Sequence, residues 1–194
     1  WRAIADATVW VLERTGREAR PLLEPTERFG RYPAAVALFA FVALELAHPR
    51  PSYPRTLGVA AALYSYWALA GMAIYGRDTW TRCGEGFAVA FKLLSRIAPF
   101  AARDGRVVVR WPFAGLAGPD QTRGALVFVA VLLGSTSFDG FSRTSQWQNR
   151  LADIRARLVD EPGWVIDLAT TLVNMTGLLG FVALLLEVGD EFLQ

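Results

Sequence analysis

Residues 56–76 (TLGVAAALYSYWALAGMAIYG) contain no charged side chain, and this run constrains the chain more than any other feature. A helix rises roughly 1.5 Å per residue, so the run is long enough to cover the roughly 30 Å hydrocarbon core of a bilayer. Residues 168–186 (LATTLVNMTGLLGFVALLL) form a second uncharged run between Asp167 and Glu187. Trp164 stands just before it, where an interfacial aromatic anchor belongs. Residues 33–48 (PAAVALFAFVALELAH) cover only about 24 Å by the same rise, so a crossing there needs Tyr32 at one interface and Arg31 snorkelling outward. Residues 124–141 (GALVFVAVLLGSTSFDGF) begin as an apolar helix but carry Asp139 near the end, followed by Gly140 as a possible cap.

Composition agrees with this segmentation. The 194 residues are 53% hydrophobic with a mean hydropathy of +0.28, above the soluble average, yet 20% are charged. Both hold at once only if apolar runs alternate with charged connectors. The predicted fold is therefore all-α: a polytopic transmembrane helical bundle of about four spans, forming one membrane-embedded domain over residues 1–194. The chain starts at Trp1 without Met or a cleavable apolar leader, as expected for a portion of a longer protein.

The connectors have distinct characters. HPRPSYP (48–54) packs three prolines into a tight extended link between antiparallel helices. Within the long polar segment 77–123, GFAVAFKLLSRIAPF (86–100) places Phe87, Phe91 and Leu94, with Ala90, Ile97 and Ala98, near one helical face, and Lys92, Ser95 and Arg96 mostly on the other. That pattern predicts an amphipathic helix lying in the membrane interface and ended by Pro99. VVVRW (107–111) reads as a short extended piece, while residues 149–159 and the first 25 residues read as charged amphipathic helices. Four crossings put 14 of the 20 basic residues on the side of the N-terminus and segment 77–123, and 6 on the other. The excess places the N-terminus and the long segment in the cytoplasm of a multi-pass protein of the cell membrane.

Several chemistries are disfavoured. A net charge of +2 with acids interspersed among bases lacks the dense basic stripe of a nucleic-acid binder. A single cysteine, Cys83, cannot form an intrachain disulfide or a thiolate cluster, and a single histidine, His48, leaves a metal site without its commonest ligand. The chain holds no G-x-S-x-G elbow, phosphate-binding glycine loop or H-E-x-x-H motif, so no catalytic residue, metal or cofactor is assigned. Arg82 beside Cys83 would lower the thiol pKa, but without a neighbouring histidine the cysteine is a poor nucleophile.

Ionisable and polar groups within apolar spans are the remaining candidates, because charge near a bilayer centre costs several kcal/mol unless paired, hydrated or neutralised. Glu45 and His48 are spaced i, i+3 near the end of one span, where they could pair; the plain alternative is solvation at the interface. Ser135, Thr136 and Ser137 lead into Asp139, suggesting either a polar site at one membrane face or a helix end held by local hydrogen bonds. Asp167 and Asn174, seven apart with Thr170 and Thr171 nearby, form a stripe that faces protein, where polar contacts bind helices together.

Three segments carry a family resemblance: LELAHPRPSYPRTL (44–57), GRDTWTRCGEGFAVAFKLLSRIAP (76–99) and STSFDGF (135–141). Together they resemble polytopic membrane proteins of actinobacteria and haloarchaea that are often labelled uncharacterised or, after organophosphate-degrading proteins, fenitrothion hydrolase. The matching positions are Glu45 and Pro49, then Gly84, Glu85, Phe87, Ser95, Arg96, Ala98 and Pro99, then Phe138, Asp139 and Gly140. The resemblance spans roughly residues 30–147 and implies a longer protein with further spans and, by its label, phosphotriester hydrolysis. The use of arginine at every basic position except Lys92 also fits GC-rich coding, as in actinobacteria. The residues themselves point to a transporter-like bundle or a membrane subunit or anchor of a larger complex, partnered by the bilayer and by other membrane subunits. A membrane-bound hydrolase is the alternative.

Overall fold

The computed structural model describes residues 1–14, 21–23, 29–103, 105–112, 114 and 123–193. Of the described residues, 78% are helical. In order, the elements are α1 (Arg2–Arg14), α2 (Tyr32–Ala47), α3 (Pro54–Tyr75), α4 (Arg77–Cys83), α5 (Gly86–Ile97), β1 (Phe100–Arg103), β2 (Arg106–Val109), α6 (Ala125–Ser142), α7 (Ser145–Arg157) and α8 (Gly163–Leu193).

Three helices, α3, α6 and α8, are long and apolar enough to cross a membrane. The 16 residues of α2 are apolar but fall short of that length. The remaining elements follow local chemistry. Pro54 opens α3, a position where its missing N–H and fixed φ suit a first helical turn. Gly76 at φ 82 breaks α3 from α4, in a left-handed conformation that a side chain would strain. Thr144 caps α7, its hydroxyl accepting the Trp147 N–H at 3.4 Å.

The chain forms two compact units: Trp1–Ala34 with Ala68–Ala125, and Ala35–Trp67 with Leu126–Gln194. In the first, Trp80 is the anchor. It is 3% exposed, stacks on Tyr75 with ring centroids 5.4 Å apart, and lies against Phe29 at 6.3 Å. Gly71 and Gly84 flank the indole so closely that a Cβ would lie 1.9 Å from the ring at Gly71 and 2.4 Å at Gly84. Ion pairs Arg2–Asp78 (2.8 Å) and Arg77–Asp6 (2.7 Å) join α1 to α4.

The same unit contains an antiparallel hairpin in which Phe100 pairs with Val109 and Arg103 with Arg106. The extended segment expected at residues 107–111 thus pairs with β1, which begins just after Pro99, the expected end of the preceding helix. Gly105, between the strands, adopts φ 74, a conformation that favours glycine.

In the second unit, α6 and α8 approach closely: a Cβ on Gly134 would lie 3.1 Å from the Val182 backbone. An aromatic cluster of Phe138, Phe141, Trp147 and Phe181 fills the space among α6, α7 and α8, with centroid separations of 5.4 to 5.9 Å. Phe138 and Leu178 are fully buried beside it.

Candidate functional site

The polar residues singled out in the apolar spans all belong to the second unit, and His48, Ser135, Thr136, Asp139, Asp167 and Asn174 each have a hydrogen-bond or ion-pair partner there. Asp139, in the last turn of α6, is held by Arg143 at i, i+4 with an N–O distance of 2.9 Å. Ser135 and Thr136 donate their hydroxyls back to the Leu132 carbonyl at 2.9 and 2.8 Å, and Ser142 donates to the Asp139 carbonyl. Ser135 is buried, whereas Thr136 and Ser137 are exposed. These bonds satisfy the hydroxyls within their own helix, as small polar residues in apolar helices commonly do.

His48 accepts the backbone N–H of Arg50 through Nδ1 at 3.1 Å, in the turn between α2 and α3. Glu45, one turn earlier, is exposed and makes no hydrogen bond to His48. Arg50 instead pairs with Asp167 at 2.8 Å, tying this turn to the first part of α8. With both side chains more than a third exposed, the pair contributes at most about 1 kcal/mol. Asp167→Asn should accordingly shift the thermal unfolding midpoint in detergent by only a few degrees.

Asn174 sits one turn from Gly177, and its Oδ1 accepts the Trp147 indole N–H at 3.0 Å. Thr170 and Thr171 donate to the carbonyls of Ile166 and Asp167. Asp167 and Asn174 thus share a helix but serve different neighbours. Among the described residues, no hydrogen bond or ion pair links Asp139, Asp167 and Asn174 to one another, and no three of His, Cys, Asp and Glu stand together as a metal-ion site.

The motif-bearing helix α5 lies in the first unit and is capped at both ends. Glu85, buried, accepts the N–H groups of Phe87 and Ala88 at 3.2 and 2.6 Å, which neutralises two orphan donors of the first turn. At the other end, Arg110, just beyond β2, donates to the carbonyls of Ser95, Arg96 and Ala98 at 2.8, 3.2 and 3.0 Å, and its own N–H bonds the Pro99 carbonyl. A cation at a helix C-terminus is favourable to both the orphan carbonyls and the dipole. Sequence reading missed Arg110, because its helix is more than a dozen residues away along the chain.

The apolar residues of α5 divide between two faces. Gly86, Val89 and Ala90 pack inward, while Phe91 and Leu94 project outward beside Lys92. On the hairpin, Phe100, Val107, Val109 and Trp111 are likewise exposed.

Cys83, on α4, is half-buried and donates to the Thr79 carbonyl. Burial pushes the thiol above its ordinary value of 9.0, and Arg82 offsets this only in part. The thiol is therefore protonated at neutral pH. Iodoacetamide should alkylate it more slowly than free cysteine at pH 8, with the rate still rising with pH beyond 9, where free cysteine levels off; full-rate alkylation at pH 7 would contradict this environment.

No protein-family model, curated protein or solved structure matches this chain.

Proposed function

We propose that the chain is an integral membrane protein serving as a membrane subunit or anchor of a larger assembly. The observation that carries this reading is the outward orientation of large apolar side chains on the long helices. Leu63 and Tyr66 on α3 are 65% and 75% exposed, and Leu133 on α6 and Leu172 and Leu184 on α8 are more than half exposed. A helix that is apolar around its circumference, with little of it covered, suits lipid as its solvent.

The outward Phe91, Leu94, Phe100, Val107 and Trp111, interspersed with Lys92 and Arg106, suit a platform seated in the headgroup layer. The short α2 completes a fourth crossing with help from the exposed Tyr32, whereas Arg31, expected to reach outward, is instead buried in the protein; the basic-residue imbalance favours a cytoplasmic N-terminus and segment 77–123.

A structural role is favoured over transport because Asp139, Asp167 and Asn174 are each engaged by a separate partner, and among the described residues no hydrogen bond or ion pair joins them to one another. The resemblance to proteins labelled fenitrothion hydrolase supplies the second reading. Gentle detergent extraction followed by sizing and native mass spectrometry separates the two. Co-purifying subunits with no turnover support the anchor. Organophosphate hydrolysis by the pure chain, abolished in Asp139→Ala, would replace it with the hydrolase.

A further inference from the structure

A cleft of about 540 Å³ opens between α7 and α8, within the range of small-ligand sites. Arg150, Asp153, Ile154 and Arg157 line it from α7, and Val173 and Gly177 from α8. Arg150 and Arg157 are two helical turns apart and so share a face, with Asp153 between them. Elsewhere in this unit the arginines Arg50 and Arg143 are paired with carboxylates. Arg150 and Arg157, like Arg55 and Arg155, make no ion pair among the described residues, and along the cleft two arginines outnumber the single carboxylate of Asp153.

The other polar groups at the cleft are already committed. Trp147 Nε1 donates to Asn174, and Thr176 donates its hydroxyl to the Leu172 carbonyl. The cleft is thus lined by two exposed arginines of α7 together with the apolar Ile154 and Val173 and by Gly177. Guanidinium groups match the oxygens of a phosphate in bidentate geometry. The apolar lining requires that the phosphate carry a hydrocarbon portion, and α8 is one of the helices able to cross a membrane.

We propose that the α7–α8 cleft binds the phosphodiester head of an anionic phospholipid, with Arg150 and Arg157 on the phosphate and the start of an acyl chain along Val173 and Gly177. This rests on the membrane reading above.

The test is native mass spectrometry of the full chain released from mild detergent after titration with phosphatidylglycerol or phosphatidylcholine. The unaltered protein should retain phosphatidylglycerol about tenfold better, given the strength of charge-assisted hydrogen bonds. Arg150→Gln with Arg157→Gln should erase that preference, whereas Arg155→Gln, on α7 but outside the cleft, should keep it. Equal retention of the two lipids by the unaltered protein overturns the proposal even if the double variant fails to fold, as does a folded double variant that still prefers phosphatidylglycerol. Displacement of the lipid by excess glycerol 3-phosphate would show a site for the free phosphoester and overturn the lipid assignment. Alkaline carbonate extraction, run alongside, separates the failures: a protein that stays in the membrane without lipid preference refutes the cleft alone, whereas release refutes the membrane reading.

Discussion

Gly71→Val should destabilise the protein more than any other single substitution on α3. The Trp80 indole occupies the space where a β-carbon would be built, at 1.9 Å, and it has nowhere to retreat: Tyr75 stacks on it, and Gly84 closes in from a second side. Overpacking a tight core typically costs about 1–3 kcal/mol and occasionally more, and here relief requires moving the buried anchor itself. Trp80→Ala attacks the same contact from the other direction by leaving a cavity, at about 3–5 kcal/mol. Each should lower the midpoint of helix loss, followed by circular dichroism in mild detergent, by about 10 °C. The double variant Gly71→Val/Trp80→Ala should recover part of the loss, because the added methyls then fill space that the ring vacates. A double variant as damaged as the sum of the singles would show that the two residues do not compete for one volume.

Trp147→Ala should be the most damaging change in the second unit. The ring lies edge-on to Phe138 at 5.4 Å, sits against the Cα of Gly177, and holds Asn174 through its N–H. Truncation opens a cavity among three helices and orphans the Asn174 carbonyl, for a loss of about 3–5 kcal/mol. Trp147→Phe keeps most of the ring and removes only the donor, so it should cost about 1 kcal/mol. If thermal unfolding ranks the two variants equally, the hydrogen bond and not the packing carries the anchor, contrary to the geometry.

What could be seen in advance follows from the range of each signal. The helices at residues 32–47, 54–75 and 125–142 lie within about two residues of the apolar runs, because high hydropathy over some twenty residues is a local property. The last helix overran its run at both ends, to Gly163–Leu193, since Asp167 and Glu187 bound the apolar run but do not stop a helix. The seven-residue α4 was read as loop, as one turn or two is too short for a periodic pattern to emerge. Asp139, in the last turn of α6, and Arg143, in the turn just beyond it, are only four residues apart, a range within which a pair could be read from spacing. By contrast, Asn174 with Trp147 and Asp167 with Arg50 join segments 27 and 117 residues apart, which no local pattern announces.

The orientation of exposed positions across a membrane tests the central reading most directly. In a Cys83→Ser background, single cysteines at Ala3, Ser52, Lys92 and Ala152, all exposed, would be labelled with a membrane-impermeant maleimide on intact spheroplasts and again after permeabilisation. Four crossings require that Ser52→Cys and Ala152→Cys react from outside, and that Ala3→Cys and Lys92→Cys react only once the membrane is opened. Labelling of all four from one side, with release of the protein by alkaline carbonate, would contradict membrane embedding.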